Sequence, residues 1–225
     1  MTWDEHYQLW LDARDRRQGN EAYLSLQAAR KRVQLNSPDD WEWLRNSLSD
    51  KDRKWFVAEV FRFQPIAKRL LAPMLRAGVL ERNPSLNRVF IVPCVRTFGT
   101  KRIRTLLLEY LERGSNEEIA GAASALYWAW NPGQQREDIA ELEKRIQVVR
   151  LQTFVHNEDL EVRRRIIPML SLKPEDYSEE LRPLIARAIE IARRHPDEYI
   201  RHRVEKQLGA GGPYMAIPDT HSDGK

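Results

Sequence analysis

The chain of 225 residues has a single cysteine, Cys94, so it cannot form an internal disulfide. One cysteine suits a reducing compartment, and its apolar neighbours Ile91, Val92 and Val95 predict a core thiol instead of a nucleophile. No apolar run approaches the ~20 residues of a membrane-spanning helix, and an acidic pair stands near the start, where a secretory signal carries basic residues. We therefore expect a cytoplasmic protein without a membrane partner.

Strand signals and catalytic motifs are also missing. No segment alternates apolar and polar residues with the period of two that is typical of a half-buried strand. The sequence contains no Rossmann glycine motif, no Walker loop, no His-Glu-x-x-His and no Gly-x-Ser-x-Gly. The five histidines show no metal-ligand spacing, and the glycine cluster at 209–212 follows a predicted helix. These absences favour an all-α protein that is not an enzyme and has no metal or cofactor.

The sequence instead contains a series of apolar stripes at helical spacing, which predicts about twelve helices joined by short connections. Ser37 followed by Pro38 predicts an N-cap and a proline at the first helical position. Gly99 and Gly114 lie where a C-terminal turn would need a positive φ. Pro73 lies inside one stripe and predicts a kink or a break there.

A polar residue opens every second predicted helix at nearly regular intervals. Successive members lie 33, 33, 41 and 40 positions apart, and they are Asp50, Asn83, Asn116, Asn157 and Asp197. A period in this range indicates a repeat array. The copy that begins at Asn116 has small residues at 119–123, which predict that two helices approach closely there.

The helix pairs, the Asp or Asn that opens each second helix, and Val162-Arg163 a few residues further on make residues 37–209 similar to the HEAT-repeat family. The resemblance implies a right-handed α-α superhelix (solenoid) of about five HEAT-like helical hairpins. It also implies caps at Asp50, Asn157 and Asp197 and a ladder of arginines between repeats at Arg53, Arg88, Arg163 and Arg203. Residues 1–36 would then form N-terminal capping helices and residues 210–225 a flexible tail, in a single domain overall.

Basic residues concentrate in the second helices, although the net charge of the chain is only +4, from 37 basic and 33 acidic residues. In a solenoid these helices line the concave surface, where a basic groove would bind an acidic protein segment or a phosphate backbone. The alternative is that the same residues form inter-repeat ladders and ion pairs. The candidates are Arg53, Lys54, Arg88, Arg96, Arg163, Arg164, Arg201 and Arg203.

Two tryptophans near the middle of the chain are further candidates for partner binding. Trp128 and Trp130 lie about 200° apart around a helix, which argues against burial of both in the core. An exposed tryptophan is a candidate contact residue. The alternative is that they pack under the loop 131–133.

The function expected from these features is a non-enzymatic protein-interaction scaffold that uses the concave surface of a HEAT-like solenoid. The alternative is a nucleic-acid-binding HEAT-like protein. The chain is similar to alkylpurine DNA glycosylases of this architecture in its basic charge and mid-chain tryptophans, but no position matches their catalytic Asp motif. A third hypothesis, a HEAT-type lyase of bilin attachment, rests on the analogy of fold alone.

Overall fold

The computed structural model describes residues 1–35, 37–130 and 139–209, and within these ranges the chain is helical and has no strand. Its twelve α-helices are α1 (Trp3–Asp15), α2 (Gly19–Leu35), α3 (Pro38–Ser47), α4 (Arg53–Phe61), α5 (Leu71–Val79), α6 (Arg88–Phe98), α7 (Thr100–Arg113), α8 (Asn116–Trp128), α9 (Ala140–His156), α10 (Leu160–Ile166), α11 (Arg182–Arg193) and α12 (Glu198–Gln207). Short 3₁₀ turns lie at Lys68–Leu70, Ile167–Met169, Pro174–Asp176 and Glu179–Leu181. The predicted all-α class is confirmed. The proposed tail at 210–225 and the loop 131–133 lie outside the described residues.

The chain divides into two compact units, Met1–Leu142 and Glu143–Lys225, and the boundary lies inside α9. In the first unit consecutive helices contact each other, α1 with α2, α3 with α4, α5 with α6 and α7 with α8. In the second unit α11 contacts α12, and α10 reaches the end of α9 through Arg163. None of the described helices is long and apolar enough to cross a bilayer.

The core of the first unit begins with a cluster of aromatic rings around Phe56 of α4, which is fully buried. Trp3, Tyr7, Trp10 and Trp43 surround it, with ring centroids 5.5 to 6.4 Å from that of Phe56. Edge-on and tilted contacts at these distances are the favoured geometries of aromatic pairs. The cluster therefore fixes the first two helix pairs to each other.

The predicted helix boundaries are confirmed at some positions and wrong at others. Ser37 caps α3 and Pro38 is its first residue, as predicted. Gly99 has a φ of 83° between α6 and α7, a conformation that only glycine adopts easily. The prediction of a positive φ at Gly114 is wrong, because its φ is −74°. Glycine is needed at this position for space instead, since a side-chain carbon would lie 2.6 Å from the carbonyl oxygen of Tyr110.

The break expected near Pro73 is present. A 3₁₀ turn at Lys68–Leu70 precedes α5, and the helix proper begins at Leu71. Pro73 therefore lies in the first turn of α5, where its missing N–H removes no helical hydrogen bond.

The predicted caps are also partly confirmed. The Asp197 side chain accepts a hydrogen bond from the Ile200 N–H at 3.1 Å and caps α12. Asn157 does not cap α10, because the cap is Asp159, whose side chain accepts from the Val162 N–H at 3.0 Å. Asn157 instead orients the turn before the helix by accepting from the Asp159 N–H at 2.9 Å.

The start of α4 shows a related displacement. Asp50 accepts hydrogen bonds from the N–H groups of Asp52 and Arg53 at 2.9 and 2.8 Å. These two bonds hold the pKa of the Asp50 carboxyl below its usual value. The N-cap of α4 is Asp52, whose side chain makes no capping hydrogen bond, so the predicted cap at Asp50 lies two residues before the cap position and instead holds the turn that leads into the helix.

The small residues of α8 bring this helix against the end of α5. A side-chain carbon at Gly121 would lie 1.7 Å from the carbonyl oxygen of Val79 and 2.7 Å from its carbonyl carbon. No side chain fits at such distances, so the backbones of α5 and α8 are in direct contact at this point. The close approach predicted from residues 119–123 is thus confirmed.

We expect Gly121→Ala to lower the free energy of unfolding by about 2 kcal/mol or more, because the two helices must move apart to admit a methyl group. Gly19→Ala is the matched control. Gly19 also lies in a helix but has no heavy atom within 4 Å of the added carbon, so we expect a change within about 1 kcal/mol. Urea unfolding followed by tryptophan fluorescence measures both. Equal stability of the two variants would contradict the helix contact.

Candidate functional site

Arg53, the first of the predicted site residues, is held at the surface of the aromatic cluster in the first unit. Its Nη2 lies 3.0 Å from the Asp4 carboxylate. Its guanidinium carbon lies 5.7 Å from the ring centroid of Tyr7 and 5.6 Å from that of Trp43. The side chain thus connects α1, α3 and α4, and these contacts account for its position without a ligand.

Lys54 lies beside Arg53 in sequence but makes a separate ion pair. Its Nζ is 2.7 Å from Glu81 Oε2, and both side chains are largely shielded from solvent. Burial raises the pKa of Glu81, but the hydrogen bonds from Lys54 and from the Asn83 N–H outweigh it, so the net pKa is lowered. The pair joins α4 to the segment after α5.

Arg96 donates hydrogen bonds to the C-terminal end of α4. Its Nη2 donates to the carbonyl oxygens of Phe61 and Arg62 at 3.3 and 2.7 Å. Arg30 of α2, which the sequence analysis missed, donates to the two preceding carbonyl oxygens at 2.8 and 3.1 Å. Helix ends leave their last carbonyls without partners, so two arginines from two neighbouring helices complete the end of α4.

In the second unit Arg163 and Arg164 have different partners. Arg163 Nε donates to the Phe154 carbonyl oxygen at 3.3 Å and stays within its own helix pair. Arg164 pairs with Glu161 at 3.2 Å and with Asp197 at 3.0 Å. Since Asp197 caps α12, Arg164 joins α10 to the following helix pair.

The last two arginines of the prediction lie on α12. Arg201 Nη1 donates to the carbonyl oxygens of His195 and Pro196 at 2.6 and 2.7 Å, just beyond the end of α11. Arg203 lies with its guanidinium carbon 5.2 Å from the ring centroid of Tyr199. The structure therefore gives Arg201 a partner in the backbone and Arg203 one in an aromatic ring.

Arg88 and Trp128 are the two predicted site residues that the structure brings together at an exposed surface. The Arg88 guanidinium carbon lies 5.8 Å from the ring centroid of Trp128. Trp128 Nε1 donates to the Pro84 carbonyl oxygen at 2.9 Å, which fixes the indole. Tyr127 stands edge-on to Trp128, with centroids 4.8 Å apart, and is 60% exposed. We call Arg88, Tyr127 and Trp128 the Tyr127 surface.

The end of α8, where Tyr127 and Trp128 lie, is held by an arginine of the preceding helix. Arg104 of α7 is buried, and its Nη1 donates to the carbonyl oxygens of Leu126 and Ala129 at 3.0 and 3.3 Å. The helix ends at Trp128, so Trp130 lies beyond it and the predicted angle of about 200° around a helix between the two tryptophans does not hold. Both tryptophans are half-buried, and Tyr127 is the exposed aromatic residue of the segment.

Two arginines, Arg104 and Arg150, are buried, and neither was predicted to be. Arg104 and Arg150 are 6% and 1% exposed. Arg104 stands in the apolar run between Ile103 and Leu107, and a charged residue inside such a run is the signal that could have revealed it. A buried guanidinium must have acceptors, and backbone carbonyls at helix ends are the nearest ones.

The described residues show how candidate metal ligands and the single cysteine are placed. No group of three or more His, Cys, Asp or Glu side chains that could hold a metal ion occurs within these ranges. Cys94 is fully buried, and burial raises the pKa of its thiol to about 12. It therefore stays protonated and inert at neutral pH, which confirms the predicted core thiol.

The neighbourhood of Arg201 makes the second unit sensitive to acid. His195 is buried, and its Nδ1 accepts a hydrogen bond from the Asp197 N–H at 3.1 Å, which requires the neutral ring. Burial lowers the pKa of His195 below 6.5, and the charges of Arg163 and Arg201 lower it further against the opposing Asp197. As the pH falls, His195 is protonated in the unfolded chain before it is protonated in the folded one. The contribution of neutral His195 to stability is therefore complete above about pH 6.5 and declines below it.

We expect the free energy of unfolding of the unmodified protein to fall between about pH 7 and pH 5, and to fall less in His195→Asn. Asparagine offers an acceptor for the Asp197 N–H and does not titrate. Denaturant titrations at each pH measure the slope. An identical slope in His195→Asn and in the unmodified protein would contradict this role.

Comparisons with known proteins found no relative of this chain. No family model matches the chain, no curated protein is similar to it, and no solved structure matches its fold. The function must therefore be inferred from the chain's own residues, above all from the side chains of the Tyr127 surface.

Proposed function

We propose that the protein is a non-enzymatic interaction scaffold that holds a protein partner at the Tyr127 surface. In this proposal α3 to α12 are five HEAT-like helix pairs, and α1 and α2 cap the N-terminal end. The pairwise contacts of consecutive helices support it. The ion pair from Arg164 to the capping Asp197 of the next pair supports it as well.

The observation that carries the proposal is the chemistry of the Tyr127 surface. Tyrosine, tryptophan and arginine are the side chains that contribute most often to binding hot spots. Here the indole is fixed by its hydrogen bond to Pro84, and the phenol ring rests edge-on against it. Because these side chains are already held in place, binding a partner would cost little of their conformational entropy.

The charge of the surface favours an acidic segment in the partner. Arg88 is exposed, and within the described part of the chain its contact is the Trp128 ring and no carboxylate. Leu86, two residues before it in sequence, is also exposed. A partner segment with an acidic residue beside an apolar one would match both features.

The test is to immobilise the protein, recover partners from cell extract and titrate each purified partner against variants. We expect Tyr127→Ala and Arg88→Glu each to weaken binding about tenfold or more. Tyr23→Ala removes an equally exposed tyrosine from α2 and should leave the affinity unchanged. Circular dichroism of each variant confirms the fold. A partner that binds Tyr127→Ala and the unmodified protein equally well would contradict the proposal.

A further inference from the structure

Phe63, in the connection after α4, is the most exposed large apolar side chain in the described part of the chain, at 71%. It follows the C-terminal end of α4, where the chain turns towards α5. A ring left this far in solvent contributes little to the core. Its exposure therefore calls for an explanation outside the packing of the helices.

Two arginines lie against this ring, and a third reaches the backbone beside it. The guanidinium carbons of Arg62 and Arg30 lie 5.1 and 5.8 Å from the ring centroid of Phe63. Arg96 reaches the same place from α6, because its guanidinium donates to the Arg62 carbonyl oxygen at 2.7 Å. We call Arg30, Arg62, Phe63 and Arg96 the Phe63 surface.

The Phe63 surface has an excess of positive charge. In the described part of the chain the carboxylate in contact with its arginines is that of Glu59, 3.3 Å from Arg62. Each guanidinium has five N–H donors, and the bonds to backbone carbonyls occupy only two nitrogens of Arg30 and one of Arg96. The surface therefore keeps donors for an anion beside an exposed aromatic ring.

We propose that the Phe63 surface binds single-stranded nucleic acid. The arginines hold successive phosphates, and the Phe63 ring stacks with a base. Sites for single strands combine these same two elements, a basic surface that follows the backbone and aromatic rings that receive the bases.

The exposed ring distinguishes this ligand from other anions. In a duplex the bases are stacked on each other, so a side chain at the surface meets phosphates but no free base face. An acidic peptide would pair with the arginines and leave Phe63 in solvent. A single strand uses both the charge and the ring.

This inference is independent of the proposed protein partner. It concerns Phe63 and its three arginines, whereas the Tyr127 surface consists of Arg88, Tyr127 and Trp128. The two are tested with different ligands and different variants, so either can fail while the other holds.

The experiment is fluorescence anisotropy of a labelled oligothymidylate of about 20 nucleotides, titrated with the full chain. With three phosphate contacts, we expect the affinity to fall roughly twentyfold between about 50 and 200 mM salt. Phe63→Ala should weaken binding about tenfold, since it removes the stacked ring. Phe63→Tyr keeps a stacking ring and should stay within about twofold of the unmodified protein. Leu24→Ala, at another exposed apolar position, should have no effect.

Three results would overturn the inference. One is absence of binding at the lower salt concentration, with the fold of the protein verified by circular dichroism. Another is equal affinity for the oligonucleotide and for its duplex, which would assign no role to a free base. The third is that a polyglutamate peptide displaces the oligonucleotide, binds with the same affinity as the oligonucleotide, and is weakened equally by Phe63→Ala. That result would identify the surface as a site for acidic protein segments.

Discussion

The structure depends on how the ends of short helices are completed. Each helix leaves its last carbonyl groups without partners, and the twelve short helices in the described part of the chain have many such ends. Arginine side chains supply the missing donors at three of them. Arg30 and Arg96 complete the end of α4, Arg104 the end of α8, and Arg163 the end of α9. Because the donor lies on a neighbouring helix each time, the same bond also fixes the packing of two helices.

This requirement changes the meaning of the basic composition. An arginine-rich helical chain suggests a charged groove, yet Arg53, Lys54 and Arg164 pair with carboxylates, and other arginines donate to carbonyls. These contacts leave a smaller set of cations that lie against aromatic rings, with Arg88 beside Trp128 the clearest example. Function is therefore best sought where an arginine meets an exposed aromatic residue, and charge alone is a poor guide.

The all-helical class, the cap at Ser37, the glycine turn at Gly99 and the close approach at Gly121 were all predictable, because each depends on the local sequence. The errors have a common cause. Gly114 was assigned a special backbone angle, but its role is to leave space for Tyr110 and Glu118, which only the packed structure reveals. Likewise, the end of α8 at Trp128 decides where Trp130 points, and Arg104 from another helix completes that end. The Gly114 contacts depend on the turn between α7 and α8, and the Arg104 contact joins residues 22 positions apart, so no periodicity in the sequence encodes either.

The most direct test of this account is the stability of Arg104→Met. Methionine keeps the apolar stem of the side chain but cannot donate to the carbonyls of Leu126 and Ala129. The account predicts a loss of at least about 2 kcal/mol in the free energy of unfolding, since two buried carbonyls each lose a charged donor. Arg45→Met, which removes an exposed arginine 4.0 Å from Glu42, should cost less than about 1 kcal/mol. Equal stability of the two variants would contradict the claim that arginines complete the helix ends.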